Sequence, residues 1–190
     1  MYVSDKMRGD WQRSYGKPVI LPVRHEISSE EYAMVKDSQK GGRAHDITFF
    51  IFKNEKIALI KKHFFPPGAY RAPSGGLLPD ESLEAGTDRE AFEETGLKIK
   101  LETYWLSVKA EFFCAAQKID WTTDVFSARA TGGTLRVHDT EEIAEVRWGT
   151  VEELQGPIRQ TLLNTGRSLF RYRVMLTDAT VRLLAAQNTH

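Results

Sequence analysis

The stretch from Gly75 to Leu97, GGLLPDESLEAGTDREAFEETGL, restricts what this chain can fold into more than any other segment. A glycine pair and a loop lead into a helix, with Asp80 and Ser82 as candidate N-caps and Gly96 as the residue just past its end. A helix turns about 100° per residue, so Glu90, Glu93 and Glu94 fall within an arc of roughly 100° and share one face. Arg89 stands four residues before Glu93, a spacing that lets a guanidinium hold that carboxylate. Glu81 sits at the mouth of the preceding loop, within reach of the same region. Crowding Glu90 with Glu94 costs about 0.2–0.5 kcal/mol, and Gly86 inside the helix costs about 1 kcal/mol. Both penalties are too small to separate a solvated helix face from a functional one.

Around this helix the sequence alternates strand and helix signals. Ile47 to Phe52 and Ile57 to Ile60 are rich in β-formers and flank Lys53-Asn54-Glu55-Lys56, a hairpin turn by composition. Tyr70 to Gly76 reads as a short extended piece. Leu97, Ile99 and Leu101 alternate with charged residues as in a half-buried strand, and further strands are expected at Trp105 to Cys114, Trp121 to Ala130 and Ile143 to Trp148. Ser28 with Glu31 forms a capping box that opens a short helix ending before Gly41-Gly42, after a short extended piece at Val19 to Val23. Thr150 with Glu153 forms a second capping box, whose helix Gly156-Pro157 would stop. Leu169, Tyr172, Leu176, Ala179 and Leu183 make the stripe of an amphipathic helix packed on a core.

Met1 to Lys17 shows no periodicity and reads as an arm, with Trp11 and Tyr15 available to pack on a partner subunit in a homodimer. The expected organisation is an N-terminal arm with a short helix over 1–42 and one domain over 43–190 that includes the C-terminal helix. This order of elements argues for an α/β fold, a mixed β-sheet flanked by helices.

Composition removes several classes of function. With 190 residues, 41% of them apolar, the chain can bury one core. Lys+Arg and Asp+Glu each total 26, so no global field draws it to nucleic acid or anionic lipid, and any affinity for phosphate is local. The single cysteine, Cys114, cannot form an intramolecular disulfide and reads as a small buried hydrophobe. Met1 to Asp10 is too charged for a signal peptide, and no apolar run is long enough to span a bilayer. The cytoplasm is the expected location. His25, His45, His63, His138 and His190 show no metal-ligand spacing.

The spacing across 75–97 resembles the Nudix box: Gly, five of any kind, Glu, seven of any kind, Arg, Glu, apolar, any, Glu, Glu, any, Gly, apolar. Gly75, Glu81, Arg89, Glu90, Ala91, Glu93, Glu94, Gly96 and Leu97 fill every position. A chance match in a chain of this length is on the order of one in a million. The resemblance extends to Pro73-Ser74-Gly75, with Ser in place of a first Gly, and to the Glu145–Trp148 strand running into a Thr150-capped helix, and covers roughly residues 44 to 155.

The resemblance implies a Nudix-type α/β/α sandwich and a metal-dependent hydrolase. Its substrate would be a nucleoside diphosphate linked to another moiety, such as a nucleotide sugar or an ADP-ribose-like compound, cut at a phosphoanhydride bond. Nucleoside triphosphates and dinucleoside polyphosphates are alternatives. So are a non-catalytic nucleotide-sensing module, although such modules often lose box carboxylates and none is missing here, and a structural role in an assembly.

It further implies Glu90, Glu93 and Glu94 as metal ligands, Glu81 as an auxiliary acting through water, and Arg89 as the orienting partner. The cofactor would be Mg²⁺, with Mn²⁺ as the alternative. The general base stays open between Glu90 or Glu93 in the helix and Glu141, Glu142 or Glu145 in the later loop. For the substrate, Arg71 is a candidate phosphate contact and Tyr70 a candidate base-stacking ring, while Lys61, Lys62 and Arg43 are further cations that compete with an ordinary surface role. Phe64 and Phe65 read as loop anchors. The absence of proline between Leu97 and Gly156 weighs against ADP-ribose, and the Phe64-Phe65-Pro66-Pro67 stretch faintly resembles nucleotide-sugar cleavers.

Overall fold

The computed structural model describes residues 2–187; Met1 and His190 lie outside the described residues. The described elements are α1 (Asp5–Tyr15), β1 (Val19–Glu26), α2 (Ser29–Ser38), β2 (His45–Lys53), β3 (Lys56–Lys62), β4 (Ser74–Gly75), α3 (Leu83–Thr95), β5 (Leu97–Cys114), β6 (Gln117–Gly133), β7 (Ile143–Gly149), α4 (Val151–Gln155), α5 (Pro157–Asn164) and α6 (Ser168–Gln187). The strands form one mixed sheet in the order β1-β5-β6-β2-β3-β7, with β4 paired to β2. Pairs β1–β5 and β2–β6 are parallel and the others antiparallel. No helix is long and apolar enough to cross a membrane among the described residues.

Alternation along the strands sends side chains to two faces, each with its own core. Ile47, Phe49 and Ile51 of β2 join Leu83 and Ala91 of α3 and Trp11 of α1 on one face. Phe50 turns to the other face, with Leu59, Val108, Leu154, Ile158, Leu162 and Phe170. Helices therefore cover both sides of the sheet, the layered α/β/α arrangement expected from the order of elements.

Glu31 ties two of the covering helices together. One of its oxygens closes the α2 capping box by accepting from the Ser28 N–H at 3.1 Å, and the other accepts from the Leu169 N–H of α6 at 2.8 Å. A single buried carboxylate thus satisfies an otherwise orphaned backbone donor at the start of each helix.

Two expectations are corrected and one is extended. The segment read as an arm is helical: Ser4 caps α1 by accepting from the Met7 N–H, and Trp11 packs edge-on against Tyr104 and Phe126 with centroids 6.3 and 6.1 Å away. Tyr15 likewise meets Phe126 and donates to Glu84, so both rings pack on this chain's own sheet and helix. Arg8, on the same helix face, donates to Asp124 at 3.0 Å, and Asp124 also accepts from the Tyr104 and Ser107 hydroxyls. Second, the stop expected at Gly156-Pro157 is found at the end of α4, and the same proline also opens α5, because its fixed φ suits the first position of a helix. Third, the separate strands expected around Thr103 are one strand, β5, whose register on β6 shifts between Lys98/Ile99, Leu101/Thr103 and Tyr104/Leu106. Each shift breaks the period-two pattern that alternation relies on.

Candidate active site

Helix α3 begins at Ser82, whose hydroxyl accepts from the Ala85 N–H, while Asp80, the other candidate cap, sits in the loop at φ 64°. It ends at Gly96 in the left-handed region at φ 71°, with the Gly96 N–H bonded to the Phe92 carbonyl. Gly86 owes its place to crowding: a Cβ there would stand 2.3 Å from Leu77 Cδ2 and 2.7 Å from Glu81 Oε2. The loop before the helix folds back on the α3 surface at this point.

Arg89 organises the carboxylates. It forks onto both oxygens of Glu81 at 2.9 and 3.0 Å, donates to Glu90 at 3.0 Å and to Glu93 at 3.1 Å, and reaches the Gly76 carbonyl. Its bond to Glu81 is the main cause that raises the guanidinium's pKa, and it holds the Glu81 carboxyl below the usual range. Burial pushes the Glu90 carboxyl up, against the pull of Arg89. The fit of Glu90 depends on Gly75, where a Cβ would stand 2.0 Å from the Glu90 carboxyl carbon.

Glu94 lies deeper. Its Oε2 accepts from the Ser74 N–H at 2.9 Å, and its Oε1 lies 3.7 Å from Arg71 with no hydrogen-bond partner. Burial pushes its carboxyl up to about 7. Arg71 is therefore a buried strut: its Nη1 donates to the Ala72 carbonyl and the Ser74 hydroxyl, and burial brings it down to about 10.

In this arrangement, with Arg89 bound to three of the carboxylates, no group of three or more His, Cys, Asp or Glu converges to hold a metal ion among the described residues. The donor chemistry fits a hard divalent cation all the same. The set consists of carboxylate oxygens, and Glu94 Oε1 is a buried acceptor lacking a partner.

A cleft of about 290 Å³ opens beside this helix. Ser74, Gly75, Gly76, Glu90 and Arg71 form one side, and Met34, Val35 and Ser38 of α2 with Leu169, Phe170, Tyr172 and Arg173 of α6 form the other. Of the expected residues, Arg43, Lys62, Phe64, Phe65, Arg71, Glu90 and Glu142 line it, whereas Lys61, Tyr70, Glu81, Arg89, Glu93, Glu94, Glu141 and Glu145 do not. Tyr70 donates to Glu145 at 2.5 Å under the Arg147 guanidinium, and Lys61 holds the same Glu145 at 2.7 Å. Glu142 is ion-paired with Lys62, whose ammonium burial and the nearby Arg71 bring down to about 7.

Sequence reasoning missed Asp46, Trp121, Arg167 and Arg173, all in the cleft wall. Burial pushes the Asp46 carboxyl up, but Arg173 and bonds from Thr123 and Trp121 outweigh it and hold the group below its ordinary value. Arg173 follows directly on Tyr172 of the apolar α6 stripe, the only signal that could have placed it here.

A family model described as the NUDIX domain matches residues 43–170. An NAD-capped RNA hydrolase, NudC, from Chromobacterium violaceum is 30% identical over 104 residues, which cover 55% of this chain and 37% of that protein. The chain thus spans well under half the length of this relative. Among solved structures, a UDP-X diphosphatase superposes with a TM-score of 0.53 at 21% identity, covering 82% of this chain and 72% of the other. The MutT protein from Methanosarcina mazei Go1 superposes with a TM-score of 0.52 at 19% identity, covering 76% and 94%. These likenesses establish the fold.

Proposed function

This chain belongs to the NUDIX hydrolase family, and on that footing we propose that it is a metal-dependent enzyme that splits the phosphoanhydride bond of a nucleoside diphosphate linked to a second group, such as a nucleotide sugar or an ADP-ribose-like compound. One observation carries the reading: the carboxylate edge at Glu90 opens into a cleft lined by both cations and aromatic rings. Arg43, Lys62, Arg71, Arg167 and Arg173 outnumber the lining carboxylates Asp46, Glu90 and Glu142, and Phe64, Phe65, Phe112, Trp121, Phe170 and Tyr172 offer flat apolar surface. A diphosphate calls for the first set and a base or sugar for the second.

Glu90, Glu93 and Glu94 would hold Mg²⁺ or Mn²⁺, with Glu81 acting through a water. When bound there, the ion neutralises charge on the phosphoryl oxygens and lowers the pKa of a water. Arg89 would position Glu81, Glu90 and Glu93, to each of which it donates. Glu142 takes the proton of the attacking water, since it lines the cleft outside the set that would hold the metal; its ion pair with Lys62 must loosen for it to accept. The water oxygen bonds to phosphorus, and the anhydride P–O bond breaks with its electrons on the departing phosphate. The products are a nucleoside monophosphate and a phosphorylated fragment.

The test is a panel of nucleotide sugars, ADP-ribose, NADH, NAD-capped RNA, nucleoside triphosphates and dinucleoside polyphosphates with Mg²⁺ or Mn²⁺, read by phosphate-containing products. Turnover of one class, lost in Glu93→Gln, is the expected result. No turnover across the panel, with metal-dependent nucleotide binding intact, would replace the hydrolase with a sensing module.

A further inference from the structure

Five cations line the cleft, and four of them already have a carboxylate. Lys62 pairs with Glu142, Arg71 approaches Glu94, Arg167 lies 3.7 Å from Glu30, and Arg173 donates to Asp46 at 2.9 Å. The exception is Arg43, whose guanidinium has no ion pair and no hydrogen bond among the described residues. Its Nε is buried without a partner, a state that is costly unless something else compensates it.

What holds Arg43 is contact with flat and bare surfaces. Its guanidinium carbon lies 5.7 Å from the centre of the Trp121 ring, which is itself fixed by donation to Asp46. Its other neighbour is Gly76, where a Cβ would stand 2.5 Å from Nη1 and 2.8 Å from Cδ. Gly75 admits Glu90 in the same way. Consecutive glycines therefore bring a carboxylate and an unneutralised guanidinium against one short piece of backbone. Both side chains line this cleft and a second one beside it, bounded by Leu77, Leu78 and Pro79.

We propose that Arg43 is a substrate-binding residue that donates to a non-bridging oxygen of the substrate's diphosphate at the rim of the cleft. The inference rests on the hydrolase reading for the identity of the substrate, but its phosphate-binding core stands apart from turnover. A planar guanidinium with free donors matches a phosphate, and an arginine held by stacking has no internal anion to surrender when one arrives.

Calorimetric titration of inorganic pyrophosphate with Mg²⁺ tests it on the wild type, Arg43→Gln, Arg43→Lys and, as a control, Arg24→Gln at an exposed residue paired with Glu111. Loss of one charged hydrogen bond predicts a rise in Kd of roughly 10–100-fold in Arg43→Gln. Arg43→Lys should recover part of the loss, Arg24→Gln should match wild type, and all four should share one unfolding midpoint. On whichever substrate the panel identifies, Arg43→Gln should raise KM with little change in kcat. Equal Kd and KM in Arg43→Gln and wild type would overturn the proposal while leaving the hydrolase intact. Binding of pyrophosphate that depends on Arg43, without turnover of any substrate, would uphold the anchor and sink the hydrolase reading. A wild-type protein that binds no pyrophosphate would overturn the anchor outright.

Discussion

Replacing Arg8 with methionine keeps most of the stem of the side chain and removes its charge from a site where water cannot make up the loss. The Arg8 side chain is 8% exposed and that of Asp124 is 0% exposed, with Nε and Oδ2 3.0 Å apart. Removing one member of a buried pair costs about 3–5 kcal/mol, because the other charge stays behind. Asp124 keeps the Tyr104 and Ser107 hydroxyls, which favours the lower end, about 3 kcal/mol. For a chain of this size that corresponds to a fall in Tm of roughly 6–12 °C. Urea titration followed by far-UV circular dichroism would measure it, alongside Asp124→Asn and the double variant. The double variant should be less destabilised than the two losses added together, by more than about 1 kcal/mol. A loss below about 1 kcal/mol in Arg8→Met, or strict additivity, would refute the reasoning that α1 is bound into the core through this pair.

Two further expectations concern the loop that carries the box. Leu77 N–H donates to His45 Nε2 at 3.1 Å, so protonating that nitrogen must break the bond, and burial brings the imidazole down to about 4. Between pH 4 and about 6.5 the unfolded chain then binds a proton that the folded one refuses, so stability rises with pH across this window, by up to about 3 kcal/mol. Urea midpoints at pH 4.5 and 7 should differ more in wild type than in His45→Gln, and equal differences would disprove the link. Gly86→Ala would gain about 1 kcal/mol in a free helix, but here its Cβ meets Leu77 and Glu81, and overpacking of that kind costs about 1–3 kcal/mol. A lower melting temperature is expected, and a higher one would show that the loop yields.

How far the sequence could be read depended on whether a signal was local. The box helix, both caps of α3, the β2–β3 hairpin and the Ser28–Glu31 box all follow from residues within a few positions of one another, and all are found where expected. Helix α1 was missed because its charges hide a spacing of four through Met7, Trp11 and Tyr15, and its stability rests on Asp124, 116 residues away. Arg71 was legible as a cation beside the box but not as a buried one, since the carboxylate it faces lies on α3. Tyr70, four residues before Ser74, points away to Glu145 on the neighbouring strand β7. The far wall of the cleft was invisible for the same reason: α2 and α6 meet only in three dimensions.

Glu31, which caps α2 and α6 at once, bears on how this protein could come to accept a new substrate. The helices opposite the box meet at this one side chain, so moving either away from the other strands the Leu169 N–H at the start of α6. The cleft is held at this end by that contact. Adaptation to a bulkier or slimmer guest is therefore open chiefly to exchanges of side-chain volume at Met34, Ser38 and Phe170, positions that can change without disturbing the carboxylate helix across from them.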